Sequence, residues 1–127
     1  MLKILLPIKP EYVEQILNRT KKYEYRKQRC KRNDIQSIVI YETAPIKKVV
    51  GEVEVTKIIE NTPSELWEET NQYGGIEKSK YDQYFKNKNK AFAYVLGKVN
   101  KYDIPKELKD FNINFYPQSY VYLKDNK

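Results

Sequence analysis

A chain of 127 residues and 15.2 kDa has the size of one domain, and it can bury roughly two thirds of its unfolded surface without disulfides or a metal. It contains no His and one Cys, which excludes a Ser-His-Asp triad, a Cys-His dyad and any His-ligated metal site. Its glycines, at positions 51, 74, 75 and 97, lack the spacing of a phosphate-binding or dinucleotide-binding loop, and its net charge of +7 favours a polyanionic partner.

Leu2 to Ile8 reads as a buried strand. Pro10 suits the first turn of a helix, whose apolar stripe is Tyr12, Val13, Ile16 and Leu17, and which should stop near Asn18-Arg19. Lys22 to Lys27 then alternates with period two: Tyr23 and Tyr25 share one face, expected to be the core side, and Lys22, Glu24 and Arg26 the other. Ser37 to Tyr41 is a continuous β-branched run suited to a central strand. Val49 to Ile59 is a further strand, with Gly51 a candidate bulge.

Thr62-Pro63-Ser64-Glu65 has the pattern of a capping box, opening a helix that carries Leu66 and Trp67 and ends before Gly74-Gly75. Trp67 is expected to anchor this insert. A second short helix should begin in the same way at Ser79, with Tyr81, Tyr84 and Phe85 on its apolar side. Ala91 to Val99 is another strand, Pro105 should begin a loop, and Ser119 to Leu123 is a last strand. The expected architecture is α+β: a single domain over residues 1–127, built as a small, mostly antiparallel β-barrel with short flanking helices and a helical insert at about 62–87.

The charge is unevenly distributed. Arg19 to Arg32 holds eight basic side chains against Glu24 alone, a balance of +7 that equals the excess of the whole chain. Residues 51–77 are acidic, and 78–101 are basic again. Coding bias readily enriches Lys, but not Arg, and every arginine of the chain falls in the first basic segment. That segment is therefore the candidate polyanion site. A single Cys gives no internal disulfide, and the N-terminal apolar run is too short for a secretory or membrane-spanning segment. A cytoplasmic monomer is expected.

Asn18-Arg19-Thr20-Lys21-Lys22-Tyr23-Glu24-Tyr25-Arg26, following the first helix, resembles the G-x-K-x-x-E-x-R signature of the ASCH domain, a family of the PUA-like superfamily. Ile8-Lys9-Pro10-Glu11-Tyr12, Val49-Val50-Gly51-Glu52-Val53, Leu66-Trp67, Gly75-Ile76, Tyr84-Phe85 and Pro117-Gln118-Ser119 add to the likeness, which spans nearly the whole chain. The resemblance implies a β-barrel with a cleft beside the first helix, where RNA or a modified nucleobase binds. It also implies two enzymatic branches: one deacetylates N4-acetylcytidine with a Lys, a Thr and a later Glu, and the other is a ribonuclease. Arg19 stands where the signature has Gly, and Asn18 is the candidate to take the left-handed conformation in its place, leaving Arg19 to face the cleft. Glu24 stands where the amidohydrolase branch has its Thr nucleophile, and Thr20 is badly placed to substitute.

The resulting expectation is a domain that binds RNA or a nucleotide through Arg19, Lys21, Lys22, Glu24, Arg26, Lys27 and Arg29. Glu24, ionised among these cations and held by Arg26 or Lys21, would accept from a base amino group while Arg26 and the lysines hold phosphate. Some of the twelve tyrosines, with Tyr12 and Tyr41 near the basic segment, could stack on bases. A catalytic alternative makes Lys21 a base of lowered pKa with Glu24 as partner, and it requires Lys21 to be buried. A structural alternative is an ion-pair network that fixes the turn, and a third reading gives the basic face an acidic protein partner. Cys30, between Arg29 and Lys31, is expected to be an incidental exposed thiol. No cofactor and no metal are expected.

Overall fold

The computed structural model describes residues 2–123, so the chain end at Lys127 lies outside the described residues. Strand β1 (Leu2–Ile8) leads into helix α1 (Pro10–Leu17), then into the short strand β2 (Tyr23–Arg26) and strand β3 (Ile35–Glu42). Two long strands, β4 (Lys48–Asn61) and β5 (Ala91–Lys106), flank helices α2 (Pro63–Thr70) and α3 (Lys78–Tyr84), and β6 (Val121–Leu123) comes last. Proline occupies the first turn of both α1 and α2, where its fixed φ fits and its missing N–H costs nothing. Thr62 caps α2 by accepting from the Glu65 N–H at 3.2 Å. The expected side-chain cap of α3 is absent: Glu77 takes the cap position without a side-chain bond, and the helix starts at Lys78.

The sheet order is β2-β5-β4-β3-β1-β6. β1 and β3 run parallel, and the other four pairings are antiparallel. The sheet is thus mixed through its one parallel pair, and it is open, not closed into the barrel that the sequence suggested. Parallel neighbours need a crossover. Here α1 provides the helix of that crossover, while β2, also within it, leaves to pair with β5 at the far edge. Ile4, Leu5 and Leu6 on β1 and Ile38, Val39 and Ile40 on β3 are all buried, as expected for strands covered on both faces. Register shifts in both ladders fall beside Gly51, where an added Cβ would meet the Asn100 carbonyl oxygen at 2.8 Å.

One face of the sheet packs against α1, joining Ile4, Leu6, Ile38 and Ile40 to Val13 and Ile16. On the opposite face Leu5, Val39 and Val49 meet Ile113 of the C-terminal segment. A separate cluster seats α2 and α3 on the β2–β5 edge, with Tyr25, Leu66, Tyr81 and Phe85 at its centre. Tyr23 and Tyr25 therefore pack against this helical insert and not inside a barrel. Trp67 lies against Tyr81, with ring centroids 4.8 Å apart. β5 runs on through Pro105 to Lys106, so that proline lies within the strand. Among the described residues no helix is long and apolar enough to cross a membrane.

Candidate functional site

The chain leaves α1 through a tight turn. The Asn18 N–H donates to the Glu14 carbonyl and the Arg19 N–H to that of Ile16, while Thr20 and Lys21 both donate to the Gln15 carbonyl at 3.0 and 3.1 Å. Arg19 takes the left-handed conformation, with φ 69°, and Asn18 stays at φ −88°. The left-handed residue is thus Arg19, one position later than expected, because Asn18 still makes the last helical bond. A non-glycine residue there costs about 1 kcal/mol or more. Arg19 is exposed and does not line the cavity described below.

From this turn Lys21 reaches inward beneath α1 and is only 4% exposed. Its ammonium donates to the Gly74 carbonyl oxygen and lies 5.0 Å from the ring centroids of both Tyr12 and Tyr25. Burial pushes the Lys21 pKa below the ordinary lysine range; the negative charge of Glu24 opposes that shift, and Arg26 adds to it. Tyr25 is itself pinned. Its hydroxyl lies 2.7 Å from Thr70 Oγ1, which in turn donates to the Leu66 carbonyl at 2.6 Å. Gly74 sits against that ring, where a Cβ would run into the Tyr25 hydroxyl.

Glu24 and Arg26 come from alternate positions of β2 and so share a face. Arg26 Nε and Nη2 converge on Glu24 Oε2 at 3.0 and 2.9 Å, and Nη2 also donates to the Pro7 carbonyl at 2.6 Å. The arginine is tied at once to β1 and to Glu24. Among the described residues, Glu24 Oε1 has no hydrogen-bond donor, and the Glu24 side chain is 7% exposed.

These groups line a cavity of about 580 Å³ between α1, β2 and α3, within the range of small-ligand sites. Tyr12 and Glu11 of α1 form one wall. Ser79, Lys80, Gln83 and Tyr84 of α3 form the other. Glu11 and Lys80 approach to 3.6 Å. The Tyr84 hydroxyl accepts from the Lys27 N–H at 3.3 Å, and the Lys27 ammonium lies 4.7 Å from that ring centroid.

The structure thus brings Lys21, Glu24 and Arg26 into one cavity and sets Lys27 beside Tyr84 at its wall. Lys22 is exposed above Tyr73 and does not line the cavity. Nor does Arg29, whose guanidinium donates to the Cys30 and Arg32 carbonyls at 2.7 and 2.9 Å, closing its own loop. Thr20 Oγ1 is 2.6 Å from Asn18 Oδ1 on the outside of the turn. Cys30 is fully buried, against expectation. Arg29 folds back onto the backbone of this loop and Lys31 is exposed, and the Tyr94 hydroxyl accepts the Cys30 N–H at 3.0 Å. Among the described residues no group of three Cys, Asp or Glu side chains is placed to hold a metal ion.

Sequence reasoning missed the Gly74 carbonyl, for which no local signal exists, and also Ser79 and Gln83. The last two are four apart on α3, opposite the Tyr81 and Phe85 stripe, and that i, i+4 polar pair was the available signal.

An α+β domain with an open mixed sheet and a cation-lined cavity beside its first helix is the class defined by these observations. The ASCH domain family model matches residues 6–102, and the chain belongs to that family, whose members are PUA-like. The crystal structure of an ASCH protein from Zymomonas mobilis superposes with a TM-score of 0.87 at 26% identity, covering 96% of this chain and 87% of that one. A curated ASCH domain-containing ribonuclease of Zymomonas mobilis is 27% identical over 91% of this chain and 80% of its own length. The large ribosomal subunit protein uL22 of Ureaplasma parvum is 36% identical over 72% of this chain. This chain spans only 30% of that curated relative's length, so the likeness concerns one part of a longer protein.

Proposed function

We propose that the domain binds RNA, taking a nucleotide of a single-stranded segment into the cavity between α1, β2 and α3. The observation that carries this reading is the convergence of Lys21, Glu24 and Arg26 on one cavity that also offers the rings of Tyr12, Tyr25 and Tyr84. Aromatic faces suit bases of any sequence, and the cations suit the backbone. The Zymomonas relative that is a ribonuclease supports RNA as the ligand class. The likeness to part of a ribosomal protein is compatible with it. A further match, 33% identical and confined to 15% of an ATP synthase α subunit, indicates that the shared feature is the domain and not its host's role.

Binding should weaken steeply with salt. With four to six phosphates engaged, log K against log salt should slope at about −3 to −4 for single-stranded RNA. Arg26→Ala should weaken binding more than Lys88→Ala. Binding that ignores salt, or no binding to a random RNA pool at low salt, would overturn the reading.

A second reading, RNA cleavage, is favoured by one specific observation: Lys21 is buried in the cavity and its pKa is lowered. A neutral Lys21 amine can still donate one N–H to the Gly74 carbonyl while its lone pair accepts a proton from a ribose 2′-hydroxyl. The 2′-oxygen then attacks the adjacent phosphorus, the bond from phosphorus to the 5′-oxygen breaks and that oxygen takes a proton from water, giving a 2′,3′-cyclic phosphate end and a free 5′-hydroxyl. Catalysis of this kind rises with pH as Lys21 loses its proton. Lys21→Arg, which stays charged, should abolish cleavage while retaining binding. Undiminished cleavage by that variant would refute the role.

A further inference from the structure

We infer that the cavity selects a nucleobase bearing an exocyclic amino group, cytosine or adenine over uracil, through the free oxygen of Glu24. The inference rests on the RNA-binding reading and adds to it the chemistry of the preferred base.

Glu24 is nearly buried, and its Oε2 is occupied by two nitrogens of Arg26 at 3.0 and 2.9 Å. The Arg26 guanidinium is held in turn by the Pro7 carbonyl, so it keeps to Oε2. That leaves Oε1 as an acceptor without a donor among the described residues, on a side chain that lines the cavity. An ionised carboxylate accepts only. No buried side-chain oxygen among the described residues lacks a partner, so Oε1 is an atom that water reaches through the cavity; a base that settles against it displaces that water and must bring an N–H or O–H in its place. Lys21 does not fill the role, since its ammonium is directed to the Gly74 carbonyl.

Cytosine N4 and adenine N6 each offer an amino group at the base edge. Uracil has a carbonyl oxygen at the position of the cytosine amino group. Its N3–H is flanked by two carbonyl oxygens, which would be pressed toward the carboxylate. A site whose buried polar group must be matched discriminates strongly against the analogue that lacks the match. Cytosine and uracil share ring size, so stacking on Tyr12 or Tyr84 does not separate them.

The test is fluorescence anisotropy with labelled oligocytidylate and oligouridylate of equal length at one salt concentration. The wild-type protein should bind the cytidine oligomer at least tenfold more tightly. Glu24→Gln, whose amide both donates and accepts, should bring the two within about threefold. Should that variant fail to fold, as judged by its melting curve, an oligomer of N4,N4-dimethylcytidine tests the same point on the wild-type protein and should bind no better than the uridine oligomer. Equal, salt-sensitive affinity for cytidine and uridine oligomers would overturn the inference while leaving RNA binding intact. Failure of every oligomer to bind would overturn both.

Discussion

Removing Arg26 tests how the buried carboxylate is held. Arg26→Ala deletes both donors to Glu24 Oε2 and the bond to the Pro7 carbonyl, and it leaves a carboxylate that is 7% exposed at its side chain beside apolar rings. Breaking one partner of a well-buried pair costs about 3–5 kcal/mol. Arg26 is partly exposed, at 19%, and water can enter the vacated space, so a loss of about 3 kcal/mol is expected. For a chain of this size that is a fall in Tm of about 11 °C. Urea unfolding followed by circular dichroism gives the number directly, with the m-value confirming that the transition stays two-state. The double variant Glu24→Gln/Arg26→Ala removes the orphaned charge and should recover a good part of the loss, giving a coupling of at least about 1.5 kcal/mol in the double-mutant cycle. A loss below about 1 kcal/mol for Arg26→Ala, or strictly additive variants, would refute the reasoning and mark the pair as a solvated contact.

Alkaline pH should unfold the domain. Burial raises the pKa of seven tyrosines, among them Tyr81 and Tyr94, which are shifted furthest. Their neutral forms are favoured in the folded state, so their contribution is complete below the ordinary tyrosine pKa of about 10 and is lost as pH rises above it. Lys21 acts in the opposite sense, because its folded pKa is lowered and stability due to it grows toward the ordinary lysine pKa; one lysine should not offset seven tyrosines. A Tm unchanged between pH 8 and 11.5 would contradict this. Gly74→Ala drives a Cβ into the Tyr25 hydroxyl and should cost about 1–3 kcal/mol in a denaturant titration, whereas a neutral result would mean that the ring moves freely. Arg19→Gly relieves the left-handed residue after α1 and should stabilise by up to about 1 kcal/mol in the same assay; destabilisation would show that the arginine side chain makes a contribution of its own.

The parts of this molecule that were readable in the sequence are those whose cause is local. Continuous apolar runs marked β1 and the centre of β3, proline and the apolar stripe marked α1, and Thr62 marked the start of α2. The parallel β1–β3 pairing was hidden because nothing within either strand encodes its direction; that follows from where the crossover through α1 and β2 ends. The far half of β5, residues 100–106, is mostly polar and exposed, and Pro105 mimics a loop, although β4 pairs with it as far as Lys106. The same division holds at the site. Lys21, Glu24 and Arg26 are linked by one turn and one period-two strand, which a local pattern displays. The Gly74 carbonyl lies 53 residues from Lys21, and the α3 wall depends on Tyr25, Tyr81 and Phe85 seating the insert against β2. Cys30 misled because charged neighbours report where their own side chains go, not where the residue between them points.

The central claim is that a nucleotide occupies the cavity bounded by Lys21, Glu24 and Arg26. A crystal structure of the protein with a short oligocytidylate tests it most directly. The base should lie between α1 and α3 with its amino group within hydrogen-bond distance of Glu24 Oε1. An oligomer found instead along the 86–90 lysine-rich loop, with the cavity beside Glu24 holding only water, would contradict the account.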